Sequence, residues 1–381
     1  MLTSKVVLVK CDSYEEARVY EAVEQGFHLL GGVTEFVKSG ERITLKPNIL
    51  VGSNPEKSVT THPSVLKAVG KLIKQAGGDV YYGDSSALGK CEGNAKRAGL
   101  KEAGDEIGIA LADFDNGQTV SHREARLVKQ FVIANGVMES DGLVSLPKLK
   151  SHALTRLTGA VKNQFGCIPG TLKSQFHVKL PDPGDFATML VDLNTLIQPR
   201  LFIMDGIVAM EGNGPRSGKP KKLNVLLFSV DPVALDAIAC RIVDLDPEYV
   251  PTSRPGEEAG LGTYHYENID IIGEPVEMFI DEEFEVVRRS VRSVSGGRIR
   301  KYLRNRMCPR PTIDKEKCTL CGTCVSLCPA DPKAVNWHSG DKSNSPSFKY
   351  DQCIRCFCCQ EMCPDGAIDI KTPLLGKVLF R

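Results

Sequence analysis

Nine of the fourteen cysteines in this 381-residue chain lie between Cys318 and Cys363. Eight of the nine form two runs with the same spacing, Cys-x2-Cys-x2-Cys-x3-Cys-Pro, which begin at Cys318 and Cys353. Four thiolates at this spacing can wrap a cubane iron–sulfur cluster while backbone N–H groups point at its sulfurs. The repeat therefore predicts two [4Fe-4S] clusters. A four-cysteine zinc site is the alternative, but zinc does not require two copies of the run.

The two runs resemble the bacterial-type ferredoxin module with two [4Fe-4S] clusters, in which the fourth cysteine of each run ligates the other cluster. The resemblance assigns Cys318, Cys321, Cys324 and Cys363 to a first ligand set, and Cys353, Cys356, Cys359 and Cys328 to a second. Cys358 is left over, because using it as a ligand would spoil both spacings of its run. Cys308 lies outside both runs and is predicted to be a stray thiol.

A second group of candidate residues follows short apolar runs in the first 285 residues. Its members are Lys46, Asn48, Asp84, Lys148, Lys150, His152, Asp205 and Asp231. If the apolar runs are parallel strands, these residues meet at the carboxyl edge of one sheet. The lysines would then hold an anionic substrate, the histidine would deliver a proton, and the aspartates would orient the substrate or bind a divalent metal ion. Each residue alone also fits a structural role, as Asp84 and Asp231 do as helix caps.

Two further segments carry candidate residues. A helix predicted over 154–165 would place Thr158 and Lys162 four residues apart on one face, with Lys162 as another anion ligand. The glycine-rich segment 210–219 contains Arg216 and has the composition of an anion-binding loop. Its spacing does not match the nucleotide-binding fingerprints, so it is a weak phosphate motif.

Apolar runs and helical patterns alternate through the same 285 residues. Strands are predicted over 5–10, 42–45, 79–82, 108–112, 142–146, 200–204, 224–229 and 269–272, and helices over 14–30, 62–76, 92–103, 154–165, 186–197 and 232–243. Pro63 and Pro232 suit the first turn of a helix. The alternation predicts an α/β fold with a mainly parallel sheet covered on both faces, as one domain or two sublobes. A small α+β module follows it.

Charge divides the chain further. The formal net charge is +1, made up of −9 over residues 1–285, +9 over 286–313 and +1 over 314–381. We therefore predict an α/β ligand domain over 1–285 (the front domain), a basic linker over 286–312 with a short helix over 298–306, and the two-cluster module over 313–381. The linker is expected to dock on the acidic front domain and to press the clusters toward its strand ends. Nucleic acid or anionic lipid is a less favoured partner, because Tyr302 is the linker's one aromatic residue.

Seven motifs of the front domain resemble a widespread prokaryotic family known as domain of unknown function 362. They are Lys46-Pro-Asn48, Thr61-His-Pro63, Gly83-Asp-Ser85, Leu146-Pro-Lys-Leu-Lys-Ser-His152, Thr158-Gly-Ala-Val-Lys-Asn163, Met210-Glu-Gly-Asn-Gly-Pro215 and Ser229-Val-Asp-Pro-Val-Ala-Leu-Asp236. The resemblance spans about residues 5–275, and several members carry a C-terminal ferredoxin module. It implies the domain boundaries but no established reaction.

The hypothesis that these features favour is an iron–sulfur oxidoreductase, which passes low-potential electrons through both clusters to a small, anionic substrate or cofactor in the front domain. A redox partner protein, ferredoxin or an oxidoreductase, would exchange electrons with it. The alternative is a non-catalytic electron carrier or assembly protein that docks a partner enzyme. No apolar run approaches the roughly 20 residues of a membrane span, and the first residues resemble a strand rather than a signal peptide, so a cytoplasmic location is expected.

Overall fold

The computed structural model describes residues 3–291, 304–337 and 340–375. The front domain's strands are β1 (Ser4–Lys10), β2 (Arg42–Pro47), β3 (Asp79–Tyr82), β4 (Ala110–Leu111), β5 (Gly117–Ser121), β6 (Gln130–Ala134), β7 (Gly142–Leu146), β8 (Lys148–His152), β9 (Arg156–Thr158), β10 (Leu201–Glu211), β11 (Lys219–Ser229) and β12 (Ile269–Gly273). Its helices are α1 (Glu16–Leu29), α2 (Pro63–Gln75), α3 (Cys91–Arg97), α4 (Leu100–Ile107), α5 (Asn135–Met138), α6 (Ala160–Asn163), α7 (Leu172–Lys179), α8 (Pro183–Ile197), α9 (Pro232–Ile242) and α10 (Ser253–Glu258).

Within the described residues, ten of these strands form one sheet, and eight of them run in the order β12-β1-β11-β10-β7-β2-β3-β4. β8 pairs with the second half of β10, and β9 folds back on β8. The pairs are parallel except those that β11 makes with β1 and β10 and the β8–β9 pair. The predicted α/β fold with a mainly parallel sheet is confirmed, and the front domain has one main sheet rather than one in each of two sublobes.

Helices cover both faces of this sheet and bury a hydrophobic core on each. On one face, Val23 and Phe27 of α1 pack with Val69 of α2. On the other face, Leu190 of α8 packs with Ile238 of α9. As predicted, α2 and α9 begin at a proline, whose missing N–H is not needed in the first turn.

The predicted helix over 154–165 is wrong in its first half. Residues 156–158 form β9, which pairs antiparallel with β8 and places Thr158 opposite Lys150. Helical structure begins only at Ala160, after Gly159 in an extended conformation. Thr158 and Lys162 therefore do not share a helical face. The predicted helix over 92–103 is also divided, because Gly99 adopts a left-handed conformation between α3 and α4.

The C-terminal module is a small α+β unit built on an internal repeat. Its elements are β13 (Arg310–Ile313), α11 (Thr323–Leu327), β14 (Val335–Asn336), β15 (Ser347–Phe348), α12 (Cys358–Glu361) and β16 (Ile368–Lys371). β13 pairs antiparallel with β16, and β14 with β15. Leu320 and Gly322 in the first cysteine run, and Arg355 and Phe357 at the matching positions of the second, all have positive φ angles. The two runs thus fold the same way.

The basic linker contacts both of its neighbours in the part that the structure describes. Arg288 lies 3.0 Å from Asp244 of the front domain, whereas the Arg310 guanidinium stacks 4.4 Å from the ring centre of Tyr350 in the module. Of the helix predicted over 298–306, residues 304–307 are helical and 298–303 lie outside the described residues. In the described ranges, no helix is both long enough and apolar enough to span a membrane.

Candidate functional site

Strand β8 presents three of the predicted site residues on one face. Lys148, Lys150 and His152 are alternate residues of the strand, so their side chains point the same way. All three are buried, with 1%, 0% and 3% of their surfaces exposed. The segment was not among the predicted strands, although its Lys-Leu-Lys-Ser-His alternation has the period of a strand.

The side chains of Lys148 and Asp205 belong to a hydrogen-bonded cluster that connects the loop before α1 to the sheet. Lys148 Nζ donates to Asp205 Oδ2 at 2.8 Å and to the Tyr14 hydroxyl at 2.7 Å. That hydroxyl donates in turn to Asp205 Oδ1 at 2.8 Å, and the backbone N–H of His62 donates to Asp205 Oδ2 at 3.0 Å. Both charges are engaged inside the protein, so this pair has the properties of a structural ion pair.

Asp84 pairs with Lys46 instead of facing an open site. Its Oδ1 lies 2.7 Å from Lys46 Nζ, and its Oδ2 accepts the N–H of Ile49 at 2.7 Å. Lys46 Nζ also donates to the Pro47 carbonyl at 3.2 Å and to Asn163 Oδ1 at 3.1 Å. Lys46 thus has two hydrogen-bond acceptors, and Asp84 Oδ1 lies at ion-pair distance without the alignment of a hydrogen bond.

Asp231 lies beyond the opposite ends of the sheet's strands from the residues that it was predicted to join. It follows β11, which runs antiparallel to β10, so the carboxyl end of β11 faces the other way. There its Oδ1 caps α9 by accepting the N–H groups of Val233 and Ala234, both at 2.8 Å. The predicted convergence of Asp231 with the site is therefore wrong, and the capping alternative describes its position.

A divalent metal ion does not fit this part of the front domain. Lysine ammonium groups neutralise Asp84 and Asp205, and Asp231 is on the far edge. In the described part of the chain, no three His, Cys, Asp or Glu side chains are grouped so that they could hold a single metal ion. The candidate site therefore has no role for a divalent metal ion.

Lys162 differs from the other lysines of the cluster. It lies on α6, and within the described residues it makes no hydrogen bond or ion pair. Burial lowers the pKa of its ammonium group, although the nearby Glu361 carboxylate opposes that shift. Lys150, by contrast, donates to Asn48 Oδ1 at 2.8 Å and to the Val59 carbonyl at 2.7 Å. Lys162 is thus the cation of this cluster whose hydrogen-bond donors have no partner among the described residues.

His152 contacts the C-terminal module directly. Its Nδ1 accepts the backbone N–H groups of Leu154 at 3.0 Å and Thr155 at 3.3 Å, which assigns the ring proton to Nε2. That Nε2 lies 2.8 Å from Oε1 of Glu361, at ion-pair distance but without the alignment of a good hydrogen bond. Burial, followed by the charge of Lys162, lowers the pKa of His152 to about 4. The ring is therefore neutral at pH 7.

Glu361 was not among the predicted site residues, and neither were the other non-cysteine residues of the second cysteine run. Burial alone would raise the pKa of its carboxyl group, but His152 and Lys162 outweigh burial and hold that pKa below its usual range. The available signal was the difference between the two runs. Where the first has Gly322, Thr323, Val325 and Ser326, the second has Phe357, Cys358, Gln360 and Glu361.

The second run and the glycine-rich segment 210–219 together form the surface between front domain and module, which we call the seam. Gln360 Nε2 donates to the Gly214 carbonyl at 3.0 Å. Arg216 Nη1 donates to the Met362 carbonyl at 2.7 Å, and Asn213 Nδ2 donates to the Ile368 carbonyl at 3.0 Å. The segment forms the β10–β11 connection and docks the module. The anion-binding role predicted for Arg216 is therefore replaced by a contact with the module.

The cysteines of the two runs lie close together in the module. Cys318, Cys321, Cys324 and Cys363 line one small cavity. Around Cys359, burial and then Cys356, Cys353, Cys324 and Cys328 raise the pKa of the thiol, so the other members of the second set and Cys324 of the first lie near it. Soft thiols arranged in this way fit a cubane cluster. Cys358 lies beside Cys356, whereas Cys308 is buried against Arg304 and Arg355.

Comparison with known proteins identifies both parts of the chain. The family described as a domain of unknown function (DUF362) matches residues 43–241. The chain belongs to the DUF362 family. A 4Fe-4S dicluster domain matches residues 310–364, so the DUF362 portion of this protein is followed by an iron–sulfur module.

Two relatives match different parts of this DUF362 protein. The thylakoid-associated protein sll1697 of Synechocystis sp. is 36% identical over 281 residues, which cover 74% of this chain and 87% of that protein. An uncharacterized ferredoxin, MJ0722 of Methanocaldococcus jannaschii, is 34% identical over 59 residues, or 16% of this chain and 74% of that protein. Because the first relative is described as thylakoid-associated, the expected cytoplasmic location stays a prediction.

Two solved structures resemble the fold at low sequence identity. The lactate racemase apoprotein of Thermoanaerobacterium thermosaccharolyticum has a TM-score of 0.41 and 13% identity, and the match covers 61% of this chain and 56% of that chain. A protein from Thermotoga maritima has a TM-score of 0.35 and 14% identity, covering 59% of this chain and 57% of that chain. This DUF362 protein therefore spans slightly more than half the length of each.

Proposed function

We propose that this protein is an iron–sulfur oxidoreductase whose front domain holds a small anionic ligand beside the second cysteine run of its ferredoxin module. The observation that carries the proposal is the contact of Glu361 with His152 at 2.8 Å. Glu361 lies between Cys359 and Cys363, so a cluster-binding loop reaches the buried face of β8. Two [4Fe-4S] clusters, when bound by the two ligand sets, supply one-electron transfer at low potential.

Lys162 is the residue that would hold the anion. Its side chain is half-buried and has no carboxylate partner at ion-pair distance in the described residues. An ammonium group in such surroundings attracts an anion more strongly than one in water, because the effective dielectric constant is lower. Lys150 lies close enough to contribute to the same positive potential, since its charge also lowers the pKa of His152.

His152 would act as a neutral hydrogen-bond donor rather than as a cationic acid. Two backbone N–H groups occupy its Nδ1, and burial keeps the ring neutral, so its available proton is on Nε2. That N–H can turn between Oε1 of Glu361 and a ligand bound at Lys162. Glu361 would in this way fix the direction of the donor without giving up its own charge.

The first ligand set is better placed for a separate redox protein. Cys321 is exposed and Leu320 beside it is 37% exposed, whereas Cys353 and Cys359 of the second set are buried near the seam. This asymmetry supports a partner protein that contacts the outer run, with the inner run serving the front domain. It also gives the two runs different tasks in spite of their common fold.

Reoxidation of the reduced protein tests the proposal. The full chain with its clusters is reduced anaerobically, freed of reductant, and mixed with a panel of small carboxylates and inorganic oxyanions while its visible absorption is followed. We expect at least one compound to reoxidise it, and Lys162→Met to slow that reaction about a hundredfold, in line with the loss of a buried charge contact. Lys315→Met, at an exposed lysine of the module, is the control that leaves the rate unchanged.

Two results would contradict the proposal. Reoxidation by no member of the panel, but only by a partner protein, would favour the carrier alternative. A compound that reoxidises wild type and Lys162→Met at the same rate would remove Lys162 from the site.

A further inference from the structure

The seam contains a large cavity that shares His152 with the proposed anion site but is not lined by Lys162. Its volume is about 1210 Å³, larger than the roughly 300–1,000 Å³ of typical small-molecule sites. The front domain, the linker and the module all contribute to its walls. His152 and Ser151 lie at its front-domain wall, and Ile354, Arg355 and Phe357 of the second cysteine run lie at its module wall.

Four arginines line this cavity, and in the described residues none has a carboxylate at ion-pair distance. They are Arg156, Arg289, Arg304 and Arg355. Arg156 donates to three backbone carbonyls and Arg289 to the Thr372 hydroxyl at 2.6 Å. Neither contact neutralises a charge.

The guanidinium groups of Arg304 and Arg355 have donors without acceptors. Arg355 is 9% exposed and uses Nη2 to contact Asn305 Oδ1 at 2.8 Å, but its Nε and Nη1 have no partner. Nε of Arg304 also has none. Buried donors are rarely left unsatisfied. The Cys353 thiol lies within reach of the Arg355 side chain, so the donors that remain for a ligand are the one on Arg304 and those of Arg355 that do not face this thiol.

The acidic residues of the cavity wall are engaged elsewhere. Asp182 caps α8 through the N–H of Gly184 at 2.8 Å. Glu285 lies 2.8 Å from Lys219, and Asp369 accepts from Asn213 at 3.1 Å. The partners of Asp182 and Asp369 are neutral groups. With Lys371, however, the wall has five basic side chains against three acidic ones, so its formal net charge is positive. Guanidinium groups bind phosphate through paired N–H donors, and four of them match a ligand with more than one negative charge.

The rest of the wall is apolar. It includes Leu154, Val286, Met307, Ile354, Phe357 and Ile370. An inorganic anion would leave these side chains without contacts and most of the volume unfilled. A ligand with a flat aromatic body and a phosphate group would satisfy both parts of the wall.

We propose that the seam cavity binds a phosphorylated aromatic compound of mononucleotide size. Its phosphate contacts Arg289, Arg304 and Arg355, and its ring system packs against Phe357 and Met307. This site is separate from the anion position at Lys162, and it does not depend on the reaction proposed above.

Anaerobic calorimetry on the full chain with clusters tests the inference. The probes are flavin mononucleotide and adenosine monophosphate, each compared with its uncharged parent, riboflavin or adenosine. At least one phosphorylated probe is expected to bind ten times or more tightly than its parent. The two phosphorylated probes distinguish a flavin-type ring from a purine.

Variants then locate the bound phosphate. Arg289→Met combined with Arg304→Met is expected to weaken binding tenfold or more. Arg288→Met is the matched control, because Arg288 contacts Asp244 and does not line the cavity. Visible absorption confirms that each variant retains its clusters.

Three results overturn the inference. They are no binding of either phosphorylated probe at millimolar concentration, equal binding of each probe and its parent, and equal loss in the control and the double variant. If any of these occurs while reoxidation still depends on Lys162, the cavity inference fails and the proposed function stands. If a phosphorylated probe binds as expected while reoxidation does not depend on Lys162, the proposed function fails and the cavity inference stands.

Discussion

At the scale of single residues, the buried and half-buried lysines of the candidate site differ in how their charges are compensated. Lys148 has Asp205 at 2.8 Å and Lys46 has Asp84 at 2.7 Å, whereas Lys162 has no such partner in the described residues. Burying an unpaired charge opposes folding, while breaking a buried pair leaves an uncompensated charge behind. Stability measurements can therefore separate a ligand-binding lysine from a structural one.

Replacing each of two lysines by methionine gives opposite expected effects. Lys148→Met leaves Asp205 unpaired and is expected to reduce the free energy of unfolding by about 3 kcal/mol. Lys162→Met removes a charge without breaking a pair and is expected to raise it by about 1 kcal/mol. Thermal unfolding of the two variants, followed anaerobically with clusters present, measures both. A comparable loss in both variants would mean that Lys162 has a structural partner.

Asp236 gives a prediction for pH. It is 5% exposed and accepts the N–H groups of Ala160 at 2.6 Å and Val161 at 3.2 Å, and burial raises the pKa of its carboxyl group to about 7. The folded protein thus keeps a proton that the unfolded chain releases near pH 4, so this group's contribution to stability falls as the pH rises toward 7.

Asp236→Asn removes that titration. The stability deficit of the variant relative to wild type is expected to be about 1 kcal/mol smaller at pH 8 than at pH 6. Thermal unfolding of both proteins at the two pH values measures the difference. An equal deficit at both values would show that Asp236 is ionised in the folded protein throughout.

At the scale of elements, the short helix α6 positions Lys162, and two neighbours determine where α6 begins. Asp236 of α9 caps its first N–H groups, and Gly159 immediately before it leaves space for that carboxylate, into which a Cβ would collide. Because Asp236 belongs to another element, the cap connects the candidate anion site to the core around α9.

Two glycine substitutions test this arrangement. Gly159→Ala forces the Asp236 carboxylate or α6 to move, so we expect a loss of about 2 kcal/mol in unfolding free energy and slower reoxidation by the anionic substrate. Gly93→Ala is the control, because Gly93 lies inside α3 and an added Cβ would meet only the end of the Arg97 side chain, at 3.8 Å. It is expected to gain about 0.5 kcal/mol. Equal stability of both variants would contradict the close packing at Gly159.

The sequence was sufficient for elements with strong local signals. β3 and β7 have the predicted bounds, and α2 and α9 begin at the predicted prolines. The β8–β9 hairpin was missed because its turn, Ala153-Leu154-Thr155, contains no glycine, proline, asparagine or aspartate. Among site residues, Lys162 could be predicted by type, but its lack of a partner depends on contacts between distant segments. Glu361 differs from the residue at the matching position of the first run, but its contact with His152 depends on how the module packs on the front domain.

At the scale of the whole molecule, the second cysteine run joins the two parts of the protein. Phe357 packs into a hydrophobic core of the front domain, while its neighbours in sequence, Cys356 and Cys358, stay with the module. Its backbone is left-handed, a conformation that costs a residue with a Cβ about 1–2 kcal/mol. The first run has Gly322 at the matching position, where no such cost arises.

Phe357→Gly makes the second run resemble the first at this position. The cluster-binding loop loses strain, but the front domain loses a buried ring, so we expect the module to separate from it while both clusters remain bound. Small-angle X-ray scattering is expected to show a larger radius of gyration. Leu320→Ala, at an exposed residue of the first run, is the control. Unchanged scattering of Phe357→Gly would mean that the polar seam contacts suffice.

The difference between the two cysteine runs also bears on how this chain can evolve. The runs have the same spacing 35 residues apart, but among the described residues the first, outside its cysteines, makes none of the contacts by which Phe357 and Glu361 of the second join the front domain. The second run also contacts a hydrophobic core of the front domain, the end of β8 and the β10–β11 connection. Most single substitutions in it therefore disturb a contact with another segment of the chain. In proteins descended from this one, the residues of the first run other than its cysteines can therefore change independently. Those of the second run change together with the residues that they contact. A ferredoxin acquired from another lineage could not replace the module unless it brought its own counterpart of Phe357 and Glu361.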